Sequence, residues 1–168
     1  MERRTAFLMT VGAFAAHNAE EALAVPYYLR QFATLAPFPL DRLAGAVTTT
    51  VFTEGAIVVT AVAALVAAWA IRRPRSPLAC WSVLLFQSVV LLNTVPHVVA
   101  AIALRGYAPG LVTAIVVNAP LSLYLLVRAR RETWVQHRAF AALAPAAVVV
   151  HGPGLAVLLG TLTAFTGP

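Results

Sequence analysis

The stretch TAFLMTVGAFAAHNAEEALAV, residues 5–25, decides the fold, because it is apolar throughout except for the polar turn HNAEE at 17–21. A run of about 20 mostly apolar residues is long enough to cross a bilayer as a helix. Two glutamates and a histidine are costly in such a segment, so they indicate function and usually face the interior of a helix bundle. The stretch therefore predicts a membrane helix that carries part of a polar site.

The whole chain has the composition of a membrane protein. Of its 168 residues, 61% are hydrophobic and only 11% are charged, whereas soluble domains average about 25% charged residues. The net charge of +6 comes from twelve basic residues, all of them arginines. Because these arginines lie in short loops between apolar runs, they indicate membrane topology rather than nucleic-acid binding. The single cysteine, Cys80, excludes an internal disulfide.

Five apolar runs are long enough to span a membrane, at residues 5–25, 43–71, 78–104, 109–127 and 139–165. Lipid cannot satisfy free backbone groups, so helices are expected. We predict an all-α integral membrane bundle of five transmembrane helices, with residues 1–168 forming a single domain. Nine arginines fall on the side of the N-terminus. The positive-inside rule then places the N-terminus in the cytoplasm, the C-terminus outside and the protein in the inner (cytoplasmic) membrane.

A secretory signal peptide is an alternative interpretation of the first run. MERR, an apolar segment and then ALA at 22–24 are typical of a signal with its cleavage site. Two acidic residues crowd that site, however, and the apolar pattern continues to Val25. These features favour a retained first helix.

The polar residues of the five runs fall at similar depth, between the midplane and the outer surface, at about 1.5 Å of rise per residue. Spacing places His17 on one helix face with Glu20 and Glu21, and Asn93 on one face with His97. Pro96 and Pro120 each remove a backbone hydrogen bond within runs three and four. Pro145 and the stretch HGPG at 151–154 predict a bent or broken fifth helix, which membranes tolerate around polar cavities. The remaining polar residues at this depth are Glu54, Asn118 and His151.

Three short motifs occur in order along the chain: HNAEE at 17–21, NTVPH at 93–97 and YAPG at 107–110. With them, the sequence resembles the HXXEE-domain family of small multi-pass bacterial membrane proteins, whose signatures are HxxEE, NxxxH and YxPG. The resemblance covers nearly the whole chain and implies a polar site suspected of enzymatic activity, without supplying a substrate. The motif positions are His17, Glu20, Glu21, Asn93, His97, Tyr107, Pro109 and Gly110.

The favoured hypothesis is a membrane-embedded enzyme that acts on a lipid-like or hydrophobic small molecule and uses a divalent metal ion. Histidines and carboxylates suit Zn²⁺, Fe²⁺ or Mn²⁺, and the HExxH motif of zinc proteases is absent. The candidate metal ligands are His17, Glu21, His97 and His151. The candidate catalytic residues are Glu20, Glu21, Glu54, Asn93 and Tyr107.

Three alternatives stay open at this point. A buried glutamate can act as a general acid, which suits a metal-free cyclase or isomerase of a terpenoid-like substrate. A chain of histidines and glutamates in a bundle also suits a proton or metal-ion carrier. The polar groups of a structural membrane subunit would only fix the register of its helices. In every case the bilayer is the expected partner and nucleic acid is not.

Overall fold

The structure, a computed structural model, describes residues 2–35 and 47–166, and these residues form helices joined by short connections, with no strand among them. The all-α prediction is confirmed. Five helical rods follow one another along the chain: α1 (Arg3–Leu35), α2 (Thr49–Arg72), α3 (Pro77–Leu104), α4 (Leu111–Arg131) and α5, which begins at His137 and ends at Thr166.

Four of these rods, α2 to α5, are long and apolar enough to cross a membrane. The remaining helix, α1, carries the HNAEE turn and packs against α2 and α3. It continues through Pro26 to Leu35, beyond the predicted end at Val25. The predicted start of the second run at residue 43 lies outside the described residues. Among the described residues, α2 begins at Thr49. Thr48 caps its start, because the Thr48 hydroxyl accepts a hydrogen bond from the backbone N–H of Val51.

An apolar core fills the end of the bundle that holds the N-terminus. Phe7 is fully buried there and packs edge-on against Trp134, with 6.0 Å between ring centroids. Arg3 donates to the backbone oxygen of Pro74 at 3.1 Å and lies over the Trp134 ring. The start of α1 therefore meets the α2–α3 and α4–α5 connections. Seven of the twelve arginines lie in these connections or at the helix ends beside them.

Both α4 and α5 contain a π turn, and the one in α5 lies where HGPG predicts a bent or broken helix. In α4 it covers Ala114–Asn118, and Pro120, two residues beyond it, has no N–H to donate to the preceding turn. In α5 it covers Val150–Gly154, the segment that contains HGPG. Such turns are frequent at functional sites, and each of these lies near the polar residues of the bundle.

Candidate functional site

The HNAEE turn of α1 meets the middle of α3 at a group of three side chains, His17, Glu21 and His97, called here the His/Glu cluster. His17 is fully buried and His97 is 8% exposed. The Glu21 carboxylate lies 3.3 Å from His97 Nε2 through one oxygen and 3.7 Å from His17 Nε2 through the other. One nitrogen or oxygen atom of each side chain lies within 4.8 Å of the other two. Two of the three motifs are thus joined in space.

The protonation of His97 follows from its backbone partner. Its Nδ1 lies 2.7 Å from the carbonyl oxygen of Pro109, in the YAPG segment. A carbonyl oxygen only accepts hydrogen bonds, so Nδ1 carries the proton. In the neutral ring, Nε2 then presents a lone pair, and this is the nitrogen that faces Glu21.

The same argument applies to His17 through a threonine. His17 Nδ1 lies 2.9 Å from the hydroxyl of Thr113. That hydroxyl has one proton, and its two acceptors are Glu20 at 2.6 Å and the carbonyl of Gly110 at 3.3 Å. Because the Glu20 carboxylate is the nearest acceptor, the hydroxyl donates its proton there and accepts from His17 Nδ1, so the Nε2 lone pair of His17 faces the cluster.

Asn93 lies between the two rings. Its amide nitrogen is 3.0 Å from His17 Nε2 and 3.1 Å from His97 Nε2. The two N–H groups of one amide can satisfy both nitrogens because both carry lone pairs. The assignment of both tautomers is therefore consistent with the position of Asn93.

Glu20, one residue before Glu21, faces a different element. Its carboxylate accepts from the backbone N–H of Thr113 at 2.8 Å and of Val112 at 3.2 Å. It also accepts from the Thr113 hydroxyl and, at 2.7 Å, from the hydroxyl of Tyr107. The first N–H groups of a helix lack partners within it and favour an anion. Glu20 therefore caps the start of α4 from α1.

Tyr107 takes part in the same contact. Partial burial and its hydrogen bond to Glu20 raise the pKa of Tyr107 to about 12, so the phenol is a proton donor at neutral pH. We predicted Glu20 and Tyr107 as candidate catalytic residues. The structure places both at the junction of α1 with α4, where their hydrogen bonds hold the Thr113 hydroxyl that orients His17.

Gly110 lies directly against the His/Glu cluster, at the start of α4. Its φ of +78° is in the left-handed region that favours glycine. A Cβ atom at this position would lie 2.7 Å from Glu21 Cγ, 2.8 Å from His17 Cε1 and 2.9 Å from His97 Cε1. The glycine therefore allows α4 to approach all three side chains, which explains why the last position of the YAPG segment is a glycine.

The remaining predicted residues stand apart from the cluster. Glu54 and His151 are described residues and neither belongs to it. Two buried side-chain oxygens have no hydrogen-bond partner among the described residues: Oε2 of Glu54 and Oδ1 of Asn118. Asn118 lies in the π turn of α4. His151 lies on the π turn of α5 and lines a cavity together with Glu21 and Asn93. It is therefore close to the cluster without being part of it.

That cavity has a volume of about 910 Å³ and is bounded by α1, α2, α3 and α5. Most of its lining is valine, leucine and phenylalanine. Glu21, Asn93 and His151, together with Asn18 of the HNAEE turn, provide polar groups. Asn18 is tied to α2 by a hydrogen bond to the hydroxyl of Thr60 at 2.6 Å. Space for a ligand thus lies directly beside the His/Glu cluster.

The donor set fits a divalent transition-metal ion. Two imidazoles and one carboxylate are the protein ligands of many catalytic zinc sites and of non-haem iron sites, which keep further positions open. In a tetrahedral site with metal–ligand bonds of 2.0–2.1 Å, neighbouring donor atoms are about 3.4 Å apart. The Glu21 oxygens lie 3.3 and 3.7 Å from the two Nε2 atoms, close to that spacing.

Sequence reasoning missed Thr113, the hydroxyl that orients His17. The signal that points to it is its place in the first turn of the helix after YAPG, three residues beyond Gly110. A histidine that binds a metal through one nitrogen usually donates the other N–H to a nearby acceptor. Thr113 is such an acceptor at the end of α4 nearest to the motif.

Comparisons with known proteins support the resemblance that the three motifs indicated. Residues 8–125 match the family described as "Protein of unknown function with HXXEE motif". A similar curated protein is "Uncharacterized protein YrkK" of Bacillus subtilis (strain 168), 31% identical over 107 residues. The match covers 63% of each protein, so the chain spans less than two thirds of that relative's length. No solved structure matches the chain.

Proposed function

Since the chain belongs to the HXXEE family, we propose that it is an enzyme of the bacterial inner membrane that acts on a hydrophobic, lipid-like molecule with a divalent metal ion. His17, Glu21 and His97 would hold the ion. One observation carries the proposal: two helices bring two Nε2 lone pairs and a carboxylate to one point. Independent hydrogen bonds on Nδ1 fix both tautomers for metal binding.

The open side of the cluster favours a catalytic ion over a structural one. Structural zinc sites are closed by four protein ligands, whereas catalytic sites have three and keep a position for water or substrate. Here three donors lie together, and Glu21 also lines the cavity. A bound ion would therefore be reached from a space that is large enough for a small molecule.

Each residue around the cluster has a role in this proposal. A bound metal ion would polarise a substrate bond or activate water. Thr113 and Pro109 hold the two rings in place through Nδ1, as outer hydrogen-bond partners do in metal sites. Asn93 lies where its amide can bond a polar group of the substrate. The apolar lining of the cavity excludes water from the reacting group.

The position of Asn93 favours one second candidate, a metal-free acid–base enzyme. Its amide satisfies both Nε2 atoms without any cation. Glu21 would then donate a proton to the substrate, and a histidine would accept one in return. A terpenoid-like cyclase or isomerase substrate suits this chemistry.

Metal content separates the two candidates. The protein is purified in mild detergent without chelator, and its metals are measured by inorganic mass spectrometry. We expect near-stoichiometric Zn, Fe or Mn in the wild type and its loss in His17→Ala, His97→Ala and Glu21→Gln. His137→Ala, at an exposed histidine at the start of α5, is the matched control and keeps the metal. Circular dichroism and thermal melting confirm that each variant is folded.

Two outcomes bear directly on the proposal. Well-folded wild type that stays metal-free after supplementation with Zn²⁺, Fe²⁺ and Mn²⁺ contradicts it and leaves the acid–base candidate. His151→Ala is expected to keep the ion, because His151 lies outside the cluster. Loss of metal in that variant would assign the ion to a different set of ligands.

A further inference from the structure

The cavity beside the His/Glu cluster is long and follows the helices. Its lining runs from Ser82 to Asn93 on α3 and from Phe52 to Val66 on α2. At 1.5 Å of rise per residue, these segments are about 16–21 Å long. Because α2 and α3 are consecutive and antiparallel, Phe52 lies toward the end that holds Asn93, and Val66 toward the end that holds Ser82.

The two ends of the cavity differ in polarity. Asn93, Glu21 and His151 line one end, next to the cluster. Toward the other end the lining is apolar apart from Ser82, whose hydroxyl already donates to the backbone oxygen of Leu78 at 3.0 Å. A ligand that fills this space needs a polar group at one end only, followed by a hydrocarbon chain.

The charges around the cavity select the kind of polar group. None of the described residues that line it is an arginine, and the sequence contains no lysine. Among the described residues of the lining, Glu21 is the one acidic side chain. No side chain of the lining could pair with a buried phosphate or carboxylate, which is therefore strongly unfavourable unless it binds the proposed metal ion itself. A neutral oxygen group, such as a hydroxyl or a carbonyl, carries no such cost.

The rim of the cavity reaches the surface that faces lipid. Val58 and Val62 of α2 and Val149, Val150 and Val157 of α5 line the cavity and are also exposed. Since α2 and α5 are both candidate membrane spans, a lipid dissolved in the bilayer can approach between them.

We infer that the cavity binds a neutral lipid with a single hydrocarbon chain, its oxygen-bearing end lying between Glu21, Asn93 and His151 and its chain lying along α2 and α3. The inference rests on the proposed function for the fate of that oxygen-bearing end. His151 has no hydrogen bond to the described part of the chain, so its imidazole is free to bond a hydroxyl or carbonyl. The π turn Val150–Gly154 places this ring at the polar end of the cavity.

Photo-crosslinking tests this inference in protein reconstituted into nanodiscs. Three probes carry a photoreactive diazirine in the chain: a straight-chain fatty alcohol, the alkyl phosphate with the same chain, and an isoprenoid alcohol. Crosslinked peptides are identified by mass spectrometry. Val62→Trp fills the middle of the cavity, and Val127→Trp, at a similarly exposed valine of α4 outside the lining, is the matched control.

We expect both alcohols to label the lining of α2 and α3. In protein stripped of metal with a chelator, the alkyl phosphate should label the lining about tenfold less, because its charge then has no cationic partner there. Val62→Trp should lower labelling about tenfold, whereas Val127→Trp leaves it unchanged. Unlabelled alcohols should compete better as they lengthen, up to a chain of roughly 16–21 Å. A difference between the two alcohols reports whether an acyl or an isoprenoid chain fits better.

Several results would overturn the inference: phosphate labelling of the metal-stripped protein equal to that of the alcohols, labelling that Val62→Trp does not change, or no labelling of the lining. The metal content of the same samples keeps this test separate from the proposed function. Metal-bound protein that no alcohol labels contradicts only the ligand class. Metal-free protein that is labelled as expected contradicts only the metal-dependent function.

Discussion

Replacing Gly110 by alanine should damage the His/Glu cluster from a position that supplies no ligand. The added Cβ would lie 2.7–2.9 Å from side-chain carbons of Glu21, His17 and His97. All three neighbours belong to the proposed metal site. Two of them are rings held through Nδ1, by Thr113 and by the carbonyl of Pro109. A shift that relieves the contact therefore moves the donor atoms apart.

The size of the effect follows from two costs. A side chain in the left-handed region costs about 1–2 kcal/mol, and Gly110 has φ +78°. Overpacking of a well-packed site costs about 1–3 kcal/mol. Together they lower the free energy of unfolding by about 2–5 kcal/mol, which at this chain length lowers the melting temperature by roughly 4–20 °C.

The assay combines thermal melting with metal content for wild type, Gly110→Ala and Gly12→Ala. Gly12 lies in α1 with no atom within 4 Å of an added Cβ, so its variant controls for the substitution itself. Gly110→Ala is expected to melt lower and to lose most of its metal, while Gly12→Ala resembles wild type. If Gly110→Ala melted like Gly12→Ala and kept its metal, the described approach of α4 to the cluster would be wrong.

The other predictions concern the residues around the cluster. Glu20→Gln should lower the free energy of unfolding by about 1.5–3 kcal/mol, the contribution of hydrogen bonds to a charged group, and should keep its metal. Glu21→Gln, in contrast, should keep its fold and lose the metal. Thermal melting and metal content are measured for both variants, and equal behaviour of the two would contradict the prediction. Thr113→Val should weaken metal affinity about 10–100-fold, because His17 loses its Nδ1 partner, whereas Thr113→Ser keeps the hydroxyl and should keep the affinity. Competition with a fluorescent chelator measures both affinities. Unchanged affinity in the valine variant would contradict the role of Thr113. Folding raises the pKa of Tyr107 to about 12, so its hydrogen bond stabilises the folded protein fully below about pH 10 and is lost as the pH rises through about 12. The stability difference between wild type and Tyr107→Phe should therefore vanish over that range. A difference that stays constant in pH-dependent melts would contradict this role of Tyr107.

The polarity of the sequence predicted the general fold and the region of the site. Apolar runs located the helices, and HGPG located the irregular turn of α5, because these depend on local composition. Proline alone was not sufficient, since α3 continues through Pro96 as an α-helix. His17, Glu20 and Glu21 were assigned to one helix face, as were Asn93 and His97, and the structure brings His17, Glu21 and His97 together. Spacing within a helix is sufficient to predict which residues share a helix face.

The division of labour between Glu20 and Glu21 could not be predicted. Consecutive residues of a helix point about 100° apart, and the rotation of α1 against α3 and α4 depends on packing across the whole bundle. That rotation directs Glu21 to the histidines and Glu20 to the start of α4. The same limit applies to Glu54, which depth alone suggested and which lies outside the cluster.

X-ray absorption spectroscopy of the metal-containing protein tests the central claim most directly, namely that HxxEE and NxxxH form one metal site. We predict a first shell of nitrogen and oxygen at about 2.0–2.2 Å, with the outer-shell scattering of two imidazoles. A shell that contains sulfur from Cys80, or one without imidazole scattering, would contradict the account.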